Sequence, residues 1–311
     1  MSVVQKQKST HKGTAAAAAA LAGISFGVGG TMNQITAGWG LDISLITLAQ
    51  FVCASVILGV VVLARFRCHL SKCELWQLCL LGVCDVISLL SYFYAIDFLS
   101  VAQAVAIQFQ YVWIAVVLQH MIDRKKPTVW MVLIVVAIVI GTLLGSGLVD
   151  DIIGSGSFSL DPLGVVLALV CALSYGIFIA VNDRIAPEVP SATRTCVITV
   201  SGLPVIAVFA FFTVGSLANL PLLLPAGIIM ALTMSVVPIV GLGVAATGLP
   251  GGIVAILSSL ELPTAVLSGA LLLGEEVTPL TVVGVLLILA SVVFQELIDM
   301  GKIGRRRTLG D

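Results

Sequence analysis

Two carboxylic acids, Asp85 and Glu261, stand well inside long hydrophobic stretches of this 311-residue chain. An ionisable side chain at bilayer depth costs about 3 kcal/mol or more, so such a residue is a functional candidate by default. No Lys, Arg or His lies at comparable depth to pair with either acid. Burial without a countercharge favours the neutral form of a carboxyl. Each therefore suits reversible proton binding, with Glu261 ahead of Asp85. The competing reading is a neutral carboxyl bonded to a carbonyl or a serine, holding helices together.

Helical spacing groups further polar residues with these acids. Asp85, Ser88 and Tyr92 recur at i, i+3 and i+7, and so do Ser258, Glu261, Ala265 and Ser268 along their own stretch. Gln103 and Gln110 share a face with Trp113, while Gln108 and Tyr111 share another. Amides and phenols in hydrocarbon point at a cavity or at a neighbouring helix. A cavity lined by glutamines, tyrosines and a tryptophan suits a zwitterionic or aromatic metabolite. Interhelical hydrogen bonding is the alternative for any single glutamine. Ser25 and Ser174 join the candidate substrate-binding set.

Other chemistries find no support. Cys68 and Cys73 lack a Cys or His cluster to complete a metal site. His11, His69 and His120 fall in the tail, in a basic loop and at the end of a hydrophobic stretch. HExxH, GxSxG and P-loop patterns are missing, so no catalytic residues, metal or cofactor are expected. No nucleic-acid motif is present.

Positioning these residues falls to ten hydrophobic spans: Thr14–Thr36, Ser44–Ala64, Trp76–Ile96, Val101–Met121, Val129–Val149, Pro162–Val181, Thr193–Val214, Leu224–Ala245, Gly251–Leu273 and Leu280–Ile298. Each carries the ~20 residues that cross a hydrocarbon core about 30 Å thick. A hydrophobic content of 59% with 10% charged residues excludes an ordinary soluble domain. The first span is too long for a typical signal-peptide core and reads as a retained helix.

Threaded this way, fourteen of the fifteen Lys and Arg residues fall in the tails and in alternate gaps, and Arg194 is the second residue of the seventh span, at the end that faces the same side. The opposite gaps hold Asp42, Asp97, Asp150, Asp151, Asp161, Glu275 and Glu276. The positive-inside rule then puts both termini in the cytoplasm. Ser155→Cys, in a background lacking native cysteines, is expected to react with an impermeant maleimide in intact cells, and Ser9→Cys is not. Reversed labelling overturns the topology.

The chain echoes itself about half its length apart. Ser25-Phe26-Gly27 recurs as Ser174-Tyr175-Gly176, and the stretches after spans four and nine both carry a proline, Pro127 and Pro279. Five is odd, so a second five-span half is inverted relative to the first. Inverted repeats are the mark of alternating-access carriers with a midplane site. The organisation reads as a tail (1–13), a first repeat (14–149), an outer Gly- and Ser-rich linker (150–161), a second repeat (162–298) and a basic tail (299–311). Trp39, Trp76 and Trp130 sit at span ends as interfacial anchors. Pro204, Pro238 and Pro263 are candidate kink points.

The segment Ala255-Ile256-Leu257-Ser258-Ser259-Leu260-Glu261-Leu262-Pro263, continuing through Leu271-Leu272-Leu273-Gly274-Glu275-Glu276-Val277-Thr278, resembles the ninth helix of the drug/metabolite transporter superfamily, EamA-like branch. Gly284 to Ser291 is similar to that family's small-residue tenth helix. Two departures stand out: Leu262 separates Glu261 from Pro263, and Phe109-Gln110 occupies the place of an acidic motif in the first half. The resemblance implies an all-α integral membrane protein of ten transmembrane helices in two inverted five-helix repeats. It implies a secondary transporter, and an exporter, of a small metabolite such as an amino acid, in a bacterial inner (plasma) membrane. Protons are the expected coupling partner. An uncoupled facilitator is the alternative, with an intramembrane enzyme or a receptor behind it.

Overall fold

The computed structural model describes residues 3–65, 70–122, 124, 129–145, 149, 160–182, 184–186, 189–215, 217, 219–249 and 251–307. Most of the 150–161 linker, including Ser155, lies outside the described residues, as do Lys125 and Lys126. Among the described residues all regular structure is helical. The helices are α1 (Val3–Ala37), α2 (Ile43–Arg65), α3 (Lys72–Ala95), α4 (Val101–Gln108), α5 (Tyr111–Ile122), α6 (Val129–Gly145), α7 (Pro162–Asn182), α8 (Ser191–Thr213), α9 (Leu223–Ala231), α10 (Val237–Gly248), α11 (Gly251–Ser258), α12 (Glu261–Ser268) and α13 (Pro279–Arg307).

These form ten segments. The fourth is α4 with α5, the eighth α9 with α10, the ninth α11 with α12. Eight segments have both the length and the hydropathy to cross a membrane, and Val132–Gly145 and Pro279–Phe294 are shorter apolar helices. Helix α1 begins at Val3 and α13 continues to Arg307, so both tails extend their neighbouring helices. Large apolar side chains cover the outside: Phe211 is 82% exposed and Leu271 80%. A soluble protein does not leave so continuous an apolar surface in water.

The packing is two-fold in pattern. Segment 1 packs on segments 8 and 9, and segment 6 on segments 3 and 4. Segment 2 packs on segment 8 and segment 7 on segment 3, while 2 meets 7 and 5 meets 10. Advancing each member by five converts every pair into another of the set or into itself. The principal buried cluster joins Ile46, Phe93, Phe109, Met230, Leu262 and Ile288 from six different segments.

Close backbone approach, together with the edge-on contact of Trp130 and Phe294 at 5.7 Å between ring centroids, holds segments 5 and 10 together. Gly141 and Gly145 form a G-x-x-x-G pair on α6, and a Cβ added at Gly284 of α13 would lie 2.2 Å from the Gly145 backbone nitrogen. Lipid supplies no hydrophobic drive for helix association, so contact of this kind is what membrane helices rely on.

The acidic gaps meet at one end of the bundle. Asp42 accepts from the backbone N–H of Ser44 at the start of α2 and from Gly215 N–H at 3.2 Å beyond α8. Asn219 donates to the Trp39 carbonyl at 2.8 Å, and Gly164 packs on Phe98 and Leu99. Burial, and then the neighbouring Asp42 carboxylate, push the Asp97 carboxyl above its ordinary value.

Segment 4, and segment 9 with the π-helical turn Gly269–Leu273 that continues α12, both end in the left-handed backbone region, at Arg124 (φ 53°) and Gly274 (φ 72°). A left-handed residue just past a helix is a common stop signal and favours glycine.

Candidate substrate site

Besides segment 8, which the π-helical turn Leu232–Val236 interrupts, two helices that sequence periodicity reads as continuous are broken near their middles. Segment 4 breaks at Phe109-Gln110, between α4 and α5, and segment 9 at Ser259-Leu260, between α11 and α12. The two joints occupy equivalent places in the halves. Face assignments that run across them, Gln103 with Gln110 and Ser258 with Glu261, therefore need correction, because a turn intervenes.

The joints are built differently. In segment 9, Pro263 has no N–H and its ring clashes with the carbonyl four residues back, so the helix cannot pass smoothly through Ser259. It restarts at Glu261, and Pro263 falls in the first turn of α12, where a missing donor costs nothing. Segment 4 has Trp113 at the corresponding place. There the Trp113 indole N–H donates to Gln110 Oε1 at 2.6 Å, and Gln110 Nε2 donates to Thr142 Oγ1 of α6 at 2.5 Å. Thr142 donates to the Ala106 carbonyl at 3.1 Å, satisfying an acceptor the break leaves without its helical donor.

Each joint is a packing platform for the first helix of the opposite half. Gly27 of α1 lies against the joint of segment 9: a Cβ there would meet the Glu261 carbonyl oxygen at 2.4 Å. Gly176 of α7 lies against α5, where a Cβ would meet Ile114 at 2.7 Å and the Tyr111 carbonyl oxygen at 3.4 Å. The repeated Ser-aromatic-Gly triplet thus has a physical purpose. Its glycine lets a helix seat on a broken one.

Glu261 and Asp85 meet electrostatically at a tyrosine that stands beside Gly176. Tyr175 of α7 lies within electrostatic range of Glu261, Asp85 and Cys171, and Tyr92 of α3 lies within range of Glu261, Cys171 and Glu275. Both acids are half-buried, and neither has a hydrogen-bond or charged partner among the described residues. An aromatic chain continues from here: Phe109 to Tyr111 at 5.5 Å between ring centroids, Tyr111 to Tyr175 at 4.8 Å edge-on, and Tyr175 to Phe178 at 6.0 Å stacked. Such geometries are favourable beyond the area they bury. Ser88, on the Asp85 face, bonds to Cys171 with its hydroxyl 3.4 Å from the thiol.

The remaining candidates divide. Tyr92 is buried with its hydroxyl over Gly30. Gln103 forms a capping box with Ser100 at the start of α4, at the acidic end rather than the centre. Gln108 is half-buried with no side-chain hydrogen bond among the described residues. Ser25 donates to the Thr233 carbonyl at 2.8 Å, within the π-helical turn Leu232–Val236 that precedes α10 and Pro238. Ser174 is half-buried beside Tyr175.

Three residues escaped the sequence reading. Tyr175 and Cys171 look like ordinary apolar helix positions, although Tyr175 lies inside the repeated triplet. Asn33 is fully buried on α1 with both amide atoms lacking a partner among the described residues.

The acidic end is fastened across the halves. Glu275 accepts from the backbone N–H groups of Val101 (2.6 Å) and Ala102 (3.3 Å) at the start of α4, where a helix dipole favours a carboxylate. Thr31 and Ser268 bond across the halves at 2.7 Å, and within the first half Gln34 donates to the Ile96 carbonyl at 2.5 Å. Among the described residues no group of three or more His, Cys, Asp and Glu is placed to hold a metal.

Removing Gln110 leaves the Trp113 indole N–H without its acceptor and takes one of Thr142's two bonds, Thr142 keeping its bond to the Ala106 carbonyl. Unpaired buried polar groups cost about 1–3 kcal/mol each. Gln110→Ala is expected to lower the melting midpoint in detergent and to reduce transport, with Trp113→Ala following it and Val117→Ala having little effect. Equal shifts at all three positions would show that the joint contributes no more than general packing.

The profile of the EamA-like transporter family matches residues 13–147 and again residues 162–295. A solved crystal structure of a protein aligns with 93% of this chain and 97% of its own, at a TM-score of 0.61 and 16% identity, which shows a shared fold alone. No curated protein matches the chain.

Proposed function

Because the chain belongs to the EamA-like transporter family, within the drug/metabolite transporter superfamily, we propose that it is a secondary transporter, an exporter of a small metabolite such as an amino acid. The ten segments cross a bacterial inner membrane as two inverted halves, with both termini cytoplasmic and the acidic end outside. Substrate binds at the centre, between the joints of segments 4 and 9, and is exposed to each side in turn. The observation that carries this reading is the pair of broken helices at equivalent places, each seated against a glycine of the opposite half. Interrupted helices at the meeting of two repeats are where carriers of this architecture bind their cargo.

The bonds of Glu275 and Thr31 join the halves at the acidic end and that of Gln34 ties α1 to the end of α3, and opening to the outside would break those of Glu275. Glu261 is the coupling residue, taking a proton in one state and releasing it in the other. An uncoupled facilitator would use the same site without that titration. The decisive experiment is a panel of amino acids and related compounds assayed for uptake and efflux in proteoliposomes, with and without a pH gradient. Flux of a panel member that accelerates with the gradient supports the coupled carrier. Flux indifferent to the gradient supports the facilitator, and no flux of any member overturns the transport reading.

A further inference from the structure

We infer that Glu275 is the latch of the acidic end: its carboxylate caps α4 from the opposite half of the chain, and removing its charge shifts the protein toward the conformation open at that end. This rests on the carrier reading above and names the group that holds one side of it shut.

Two sets of three segments meet around the joints, 1 with 8 and 9, and 3 with 4 and 6. Among the described residues the sets pack on one another chiefly through α4 and α12, the parts of the two broken helices that lie toward the acidic end. No comparable packing joins α5 to α11. Burial follows the same division. Six of the eight residues of α4 are buried. Tyr111, Val112, Trp113 and Ile114 of α5 are half-buried, and no described side chain of α11 is fully buried. The two sets are therefore pressed together at the acidic end and stand apart at the other.

Glu275 lies across the closed end. The first N–H groups of a helix have no partner within it and need acceptors from elsewhere. At α4, the Gln103 N–H donates to Ser100 Oγ at 3.1 Å, while those of Val101 and Ala102 donate to the Glu275 carboxylate at 2.6 and 3.3 Å. Part of the cap is local, and part arrives from beyond segment 9. A carboxylate suits the place, because hydrogen bonds to an ionised acceptor are the strong ones and a helix start favours negative charge. The chain is shaped to deliver it. Gly274 is left-handed, the Glu275 N–H returns to the Gly269 carbonyl at 3.2 Å, and a Cβ at Gly269 would meet Glu275 Oε2 at 2.3 Å. After segment 4 the matching place in the sequence holds Lys125 and Lys126. An ammonium has no acceptor with which to cap a helix, so the latch is confined to one end.

Val105 reports whether the closed end parts. Val101 of α4 faces α1, since a Cβ at Gly30 would lie 3.2 Å from its Cγ1. Val105 is one turn further along the same face and is buried. Val105→Cys, in a background otherwise lacking cysteine, is reacted with a methanethiosulfonate reagent in the full-length protein in detergent. Glu275→Gln is expected to speed this reaction about tenfold or more, the population shift that follows the loss of a charged hydrogen bond. Gly269→Ala displaces the carboxylate without altering its charge and should act in the same direction. Glu276→Gln, at an exposed neighbour, should leave the rate unchanged. Cys171, buried against Ser88 and kept as the sole cysteine in a parallel set, should stay slow throughout. Unchanged reactivity of Val105→Cys in folded Glu275→Gln or in folded Gly269→Ala overturns the inference. An equal rise with Glu276→Gln, or at Cys171, overturns it too, since the effect would then belong to surface charge or to a loosened fold. Should Glu275→Gln fail to elute as one species, Gly269→Ala decides alone. Flux in proteoliposomes keeps the two claims apart. A faster Val105→Cys reaction in a protein that carries no member of the panel removes the transport reading and leaves the latch standing. Flux with Val105→Cys unmoved by either variant does the reverse.

Discussion

Glu261→Gln is expected to abolish substrate accumulation driven by a pH gradient while leaving exchange between equal pools largely intact. The amide keeps the size of the carboxyl and removes its titration. Proton coupling needs a group that binds and releases a proton within the cycle, whereas exchange needs only that the loaded carrier reorient. Glu261 begins α12 at a helix joint, has no hydrogen-bond or charged partner among the described residues, and lies within electrostatic range of Tyr92, Cys171 and Tyr175. Accumulation in proteoliposomes at fixed outer pH, with a stepped inner pH, measures the effect. Persistent pH-driven accumulation would remove Glu261 from the coupling mechanism and leave Asp85 as the next acid to test.

Gly284→Val is expected to cause the largest loss of stability among single glycine replacements in α13. The new Cβ would stand 2.2 Å from the Gly145 nitrogen and 2.5 Å from the Gly141 carbonyl oxygen. Backbone on a facing helix cannot swing aside as a flexible side chain can, so α6 and α13 must separate. Overpacking costs about 1–3 kcal/mol and occasionally more. Gly59→Val on α2 is the control, because a Cβ there meets nothing within 4 Å. Thermal melting in detergent should fall sharply for Gly284→Val and stay near wild type for Gly59→Val. Equal melting midpoints would show that the close contact is dispensable.

Much of the architecture was legible because bilayer physics writes it in coarse terms. Span length follows hydrocarbon thickness, and charge segregation follows insertion. The glycines of the repeated triplet were visible too, although only the packing explains them: Gly27 and Gly176 each seat on a broken helix. The joint of segment 9 was half-legible, since Pro263 announces an interruption. The joint of segment 4 was not. It is made by Gln110, Trp113 and Thr142, and the last of these lies a helix away, beyond the reach of any local pattern. The same limit hid Tyr175 and Cys171. An aromatic or a small apolar residue on a membrane helix suits lipid, packing and a binding site equally well, and only its neighbours distinguish them. Gln103 erred in the other direction: a polar residue near the end of a span serves its own helix terminus through Ser100 before it serves a cavity.

The unlike construction of the two joints has a consequence for the resting protein. In the inverted arrangement proposed above, two strictly identical halves would make the outward-open and inward-open conformations equal in energy, since a two-fold rotation would exchange them. Here one joint is covalent in origin and permanent, since a proline ring cannot be unmade. The other depends on three hydrogen-bonding side chains that can part and re-form. The Glu275 clasp adds a further inequality, because it fastens only the acidic end. The degeneracy is lifted, and a gap of even a few kcal/mol leaves the less favoured conformer as a minor population. If the protein works as the alternating-access carrier proposed above, it waits facing one compartment, and a difference in the cargo's affinity for the two states turns it to the other.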